Sequence, residues 1–119
     1  MLLFSGLLVA CQEDNDAELN ESFWLQYNKT VTVDGTPITF TTIVEDSRCP
    51  ADVMCVWAGQ FIAALNVNGE GVHIGGDHSV LEIQGYEIEL LSIHPAEKKS
   101  YEELKEKQYR ILLIVRKVV

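Results

Sequence analysis

The 119-residue chain predicts an all-β domain: a small antiparallel β-sandwich of seven or eight strands, with a β-barrel as the alternative. Three observations lead there. Apolar and polar residues alternate with period two through most of the chain, the pattern of half-buried strands. Dipeptides suited to tight hairpins, Asp34-Gly35, Asn68-Gly69 and Gln84-Gly85, recur between the alternating runs. Short strands separated by regular turn signals are the mark of sandwiches and small barrels, and the pattern does not choose between the two.

In chain order, Phe23, Leu25 and Tyr27 share a face. Val31 and Val33 alternate with threonines up to Asp34-Gly35. Beyond that turn, Ile38, Phe40, Thr42 and Val44 are expected on one face, and Thr39, Thr41 and Ile43 on the other. Phe61, Ala63, Leu65 and Val67 alternate next, and Val72 and Ile74 lead out of Asn68-Gly69. Residues 80–83 and 86–93 make a further pair; in the latter, Tyr86, Ile88 and Leu90 face one way and Glu87 and Glu89 the other. The final run "YRILLIVRKVV" is apolar on both faces from Leu112 to Val115, which predicts a central strand covered on two sides. Ser100 and Glu103 have capping-box spacing and suggest one short helix reaching Lys107.

Composition bounds the function. Net charge is −9, with 18 acidic residues against 9 basic ones. Binding to nucleic acid through phosphate contacts needs a basic face, so nucleic acid is not expected as a partner. Anionic lipid is not expected to attract the chain through charge.

The N-terminus reads as an address. Residues 2–10 form an apolar run too short to span a bilayer. Leu8-Val9-Ala10-Cys11 resembles the lipobox of bacterial lipoproteins. That resemblance implies cleavage before Cys11, acylation of Cys11 and a stable membrane anchor, since two or more acyl chains hold where one does not. The expected organisation is a signal peptide over 1–10, an acidic flexible tether over 11–21 and a single β domain over 22–119. Gln12 follows the cysteine where an aspartate would resemble an inner-membrane retention signal. The acidic stretch "QEDND" is similar to export tags on surface lipoproteins. The expected location is therefore the bacterial cell envelope, at the outer membrane or cell surface.

The stretch "DSRCPADVMCVWAG" (46–59) is the densest in chemistry. With Cys11 acylated, Cys49 and Cys55 remain as an even pair in an exported chain, and a disulfide is the default reading. In the chain-entropy model so short a loop contributes roughly 2–3 kcal/mol. The competing reading is zinc held by Cys49, Cys55 and two of His73, His78 and His94. Against it, five residues separate the cysteines, more than in common structural zinc sites. No metal, no cofactor and no catalytic residue are expected. The chain carries no nucleophile elbow, zinc-protease helix or phosphate-binding glycine loop. Arg48, Met54 and Trp57 are candidate binding-loop residues. Arg48 has a structural alternative, an ion pair with Asp46 or Asp52 that pins the loop. Trp57 has one as a plug over the disulfide.

"DSRCPADVMCVWAG", followed by the Y-x-I-x-L-x-x-I-x-P pattern from Tyr86 to Pro95, resembles a signature of small, uncharacterised secreted or lipid-anchored bacterial proteins. The resemblance covers about residues 38–95 and implies a β-rich exported domain with a Cys49–Cys55 disulfide. It carries no activity and no ligand. The expectation for function is a membrane-anchored binding or interaction module, not an enzyme, facing an envelope or extracellular protein or a small molecule of unknown kind. The alternatives are a secreted-protease inhibitor using the 46–59 loop and, third, a zinc-dependent enzyme.

Overall fold

The computed structural model describes residues 16–49, 54, 59–95 and 109–118. Among these, nine strands form two sheets, and no helix occurs. The strands are β1 (Asp16–Ala17), β2 (Phe23–Gln26), β3 (Thr30–Val33), β4 (Thr36–Asp46), β5 (Phe61–Val67), β6 (Glu70–Gly75), β7 (Val80–Ile83), β8 (Tyr86–His94) and β9 (Arg110–Lys117). One sheet has the order β1-β3-β4-β5-β6, the other β2-β9-β8-β7. The two pack as a sandwich and do not close into a barrel. The expected short helix from Ser100 lies outside the described residues.

Alternation explains the core. Phe40, Phe61, Leu65 and Ile74 from the first sheet meet Leu25, Ile88, Ile111 and Leu113 from the second in one buried cluster. Along β5 the burial alternates without a break, as half-buried pleated strands require.

The three expected hairpin turns form. Both central residues of Asp34-Gly35, Asn68-Gly69 and Gln84-Gly85 have positive φ, the condition for a type I′ turn whose twist matches that of the strands. All three gather at one end of the sandwich, the hairpin end. There Tyr86 Oη donates to Asp34 Oδ2 at 2.6 Å, and Gln84 Nε2 donates to the Val67 carbonyl at 3.0 Å. At the opposite end, the loop end, lie the links 27–29 and 76–79, and there β4 and β8 end and β5 and β9 begin.

Two expectations about strand facing are corrected. Val44 does not share the inner face with Ile38 and Phe40; it is 45% exposed. Against β5, β4 carries extra residues between Phe40 and Thr42 and between Ile43 and Glu45. Each such bulge inserts one unpaired residue and reverses the facing of the residues beyond it. Ile43 therefore packs on the core and Val44 points out. A third irregularity, between Leu90 and Ser92, turns Ile93 toward the core, while Leu91 stays on the outward face of Glu87 and Glu89 and is 44% exposed.

The second correction concerns β9. It is central, paired to β2 and β8, but it is buried on one face only. Leu112 and Ile114 are part-exposed on the outer face. Leu112 pairs across the ladder with Trp24, whose ring lies under the Arg110 guanidinium at 5.2 Å. The sandwich also begins before Ser22. Asp16 and Ala17, expected in the tether, form β1 beside β3, and Leu19 packs against the core.

Candidate functional site

The loop end is built around the place where β4 ends. Glu45 and Asp46 are adjacent on a strand, so their side chains leave in opposite directions. Glu45 turns to the neck of the 47–60 loop: Ser47 Oγ donates to it at 2.8 Å and Gln60 Nε2 at 3.1 Å. The Ser47 amide donates to the Gln60 carbonyl at 2.9 Å, and the Gln60 amide returns to Ser47 Oγ at 3.0 Å. The two strands of the neck are thus fastened together through their backbones and through side chains.

Asp46 turns inward, where its side chain is only 6% exposed. Arg48 meets it with two parallel donors, Nε to Oδ1 at 2.8 Å and Nη2 to Oδ2 at 3.0 Å. This fork is the strongest geometry available to a guanidinium and a carboxylate. Arg48 Nη1 crosses to the other sheet's loop and donates to the Pro95 carbonyl at 2.9 Å. Tyr109 Oη also donates to Asp46 Oδ2. The Arg48 guanidinium lies 5.4 Å from the centre of the Phe61 ring, and Phe61 stacks on Tyr109 at 5.7 Å. Residues of both sheets converge on one carboxylate.

The electrostatics arise from that convergence. Burial pushes the Asp46 carboxyl up, but the hydrogen bonds from Arg48 and Tyr109 and the positive charge of Arg48 outweigh it, and its pKa falls below the ordinary value. Burial pushes the Arg48 pKa down; the hydrogen bond and charge of Asp46 prevail and raise it. The Tyr109 hydroxyl is raised, by burial first and by the Asp46 hydrogen bond and charge after it. At neutral pH the cluster is a carboxylate, a guanidinium and a neutral phenol. It is suited to holding shape rather than to exchanging protons.

Beside the cluster a recess of about 350 Å³ opens between the sheets. Arg48, Gln60 and Phe61 line one side, and Leu90 to Ile93 the other. Its floor includes Gly75 and Gly76, both at positive φ. At Gly75 a Cβ would come within 2.2 Å of the Phe61 carbonyl oxygen, so glycine there permits the close passage of two backbones.

The candidate residues of the sequence fall in different places. Arg48 takes the pairing with Asp46 that the sequence offers as its structural alternative, and its side chain is 17% exposed. Met54 is 97% exposed. Cys49 is part-buried immediately after the neck. Cys11, Cys55 and Trp57 lie outside the described residues. His73, His78 and His94 are all exposed, and among the described residues no three His, Cys, Asp or Glu side chains gather as a metal site would require. Tyr109 is the site residue that the sequence does not single out, although a signal is present. It stands two residues before Ile111 and so shares the inward face with Ile111, Leu113 and Val115. An inward hydroxyl at a strand end needs a partner. Nothing in the sequence names Asp46, 63 residues earlier, as that partner.

No family model, curated protein or solved structure matches the chain.

Proposed function

We propose that the chain is a lipid-anchored β-sandwich of the bacterial envelope that binds a partner through its loop end. The carrying observation is the contrast within residues 45–60. The neck is clamped by Glu45, Asp46, Ser47, Arg48 and Gln60, of which Arg48 and Gln60 also line the recess, while Met54 beyond it is 97% exposed. A loop held rigidly at its base loses little freedom on binding, and this preorganisation favours recognition. The anchor rests on the lipobox-like Leu8-Val9-Ala10-Cys11, and the expected Cys49–Cys55 disulfide would brace the same loop.

The test separates the two parts. With globomycin, or with Cys11→Ser, the protein should lose its acyl mass and leave the membrane fraction; unchanged partitioning would refute the anchor. Crosslinking from a photoreactive residue at position 54 in intact cells should yield a discrete adduct. The same residue at Asp34, on the hairpin end, should not. Equal adducts from both positions, or none from either, would refute the loop-end binding surface.

A second reading, inhibition of a secreted protease by the loop, is favoured at one residue. The Arg48 guanidinium is committed to Asp46 and Pro95, so the side chain presented to a protease cleft would be Met54. A protease panel in which inhibition is lost on Met54→Asp supports this reading; no inhibition anywhere rejects it.

A further inference from the structure

The geometry points to the orientation of the molecule on its membrane: we infer that the bilayer lies against the β1–β3 edge at the hairpin end, and that the loop end faces away from it. The inference rests on the proposed acylation of Cys11. It comes from where the chain becomes fastened to the sandwich, compared with how far the preceding residues can reach.

The fastening is early. Asp16 pairs with Thr32 and Ala17 with Val33, in a parallel ladder at the edge of the first sheet. Ala17 and Leu19 pack against the core, and the Asn20 amide donates to the Val115 carbonyl at 2.8 Å. Only residues 12–15 therefore separate the acylated cysteine from the fold. Five steps of chain, even fully extended, span at most about 17–18 Å.

The loop end is farther away than that. Thr32, the partner of Asp16, faces Pro37 across the β3–β4 ladder. From that level to the end of β4, the ladder with β5 runs from Ile38↔Val67 to Asp46↔Phe61. With the step from Pro37 to Ile38, this is a rise of about 23 Å along the strand axis. Ser47, Arg48 and Cys49 begin beyond it. A sandwich standing on its loop end would hold Asp16 above the bilayer by more than the tether can cover. Asp16 is, by contrast, close to the hairpin end, since Val33 leads directly into Asp34-Gly35. The tether reaches a bilayer at the corner where the β1–β3 edge meets the hairpin turns. The recess at Gly75 and Gly76 then lies at the far corner, on the last strand of the opposite edge.

The test uses the full-length acylated protein, isotopically labelled, in nanodiscs of phosphatidylethanolamine and phosphatidylglycerol doped with a gadolinium-chelating lipid. Amide relaxation falls with the sixth power of distance from the bilayer ions. Strand rise puts roughly a twofold distance between the near and far sets, so enhancement should be at least about tenfold larger at Thr32–Gly35 than at Gly75–His78. A ten-residue Gly/Ser insertion between Asn15 and Asp16 should collapse that ratio while leaving the amide spectrum of the sandwich unchanged. On protein shown by intact mass to be acylated, equal enhancement at the two sets, a maximum at Gly59–Gln60, or a ratio unmoved by the insertion overturns the orientation alone. An unacylated Cys11, or protein absent from the nanodisc fraction, overturns the anchor itself.

Discussion

At the scale of single residues, Asp46 is the most exacting position. The Arg48 guanidinium and the Tyr109 hydroxyl both depend on its charge, and removing one partner leaves that charge buried. Arg48→Met strands the carboxylate and should cost about 3 kcal/mol, because breaking a buried pair from one side leaves an uncompensated charge. Tyr109→Phe removes one hydrogen bond and should cost about 1–2 kcal/mol. Urea titrations measure both. The pH dependence has a definite sign. The folded pKa of Asp46 is lowered, so its contribution is fully present above the unfolded carboxylate value and lost as pH falls through the folded one. The stability gap between wild type and Asp46→Asn should therefore hold from neutral pH down to about pH 4–5 and close below it. A gap that widened in acid would contradict the pairing. Glycines give a second contrast. At Gly59, with φ +72, a Cβ would sit 2.1 Å from the Ser47 carbonyl oxygen, whereas at Gly35, with φ +79, nothing lies within 4 Å. Both alanine variants incur the left-handed penalty of about 1 kcal/mol. Gly59→Ala must also push apart the neck, and should lower the melting temperature by at least twice as much.

At the scale of elements, the strands that keep strict alternation are legible in the sequence, and those that break it are not. β5 is read correctly from Phe61, Ala63, Leu65 and Val67 because its period never slips. The three type I′ turns are read from Asp-Gly, Asn-Gly and Gln-Gly because positive φ at two successive positions restricts residue choice. β4 departs from its expected facing after Phe40 because an inserted residue leaves no mark in composition: Thr41 is as good a strand residue as Thr42. β1 is invisible in the sequence because two residues cannot display a period. At the site, Asp46 and Arg48 are legible as neighbours in the chain, and Tyr109 is not, since only tertiary structure brings it there. The bulges yield a test of their own. Val44 and Leu91 are large and apolar, yet they are exposed where the ladder slips by one residue. Val44→Thr and Leu91→Thr should each change stability by less than about 0.5 kcal/mol. Ile88→Ala, from a fully buried position, should cost about 3 kcal/mol by leaving a cavity. Chemical denaturation of the three variants checks these facings, and Val44→Thr distinguishes a bulged β4 from a regular one, in which Val44 would face the core.

At the scale of the whole molecule, the sandwich depends unequally on its two ends of chain. β1 is a two-residue edge strand with one neighbour, and Asp16 is exposed. β9 has neighbours on both sides and contributes Ile111, Leu113 and Val115, each at most 1% exposed, to the core. Burying three such side chains is worth about 6 kcal/mol at the usual area coefficient, within the range of about 5–15 kcal/mol that typically holds a small domain folded. Without β9, β2 would also lose its only partner among the described strands of the second sheet. A chain beginning at Glu18 should therefore fold, with its melting temperature lowered by no more than about 4–8 °C for each kcal/mol lost. A chain ending at Tyr109 should not fold, although it keeps eight of the nine described strands. Far-ultraviolet circular dichroism and thermal melts of the two truncations decide it. Equal losses would mean that strand position in the sheet does not govern the stability of this sandwich. Loss of folding only in the chain ending at Tyr109 would place the stabilising interior around β2, β8 and β9, and leave the edge at β1 as the part least needed for the core.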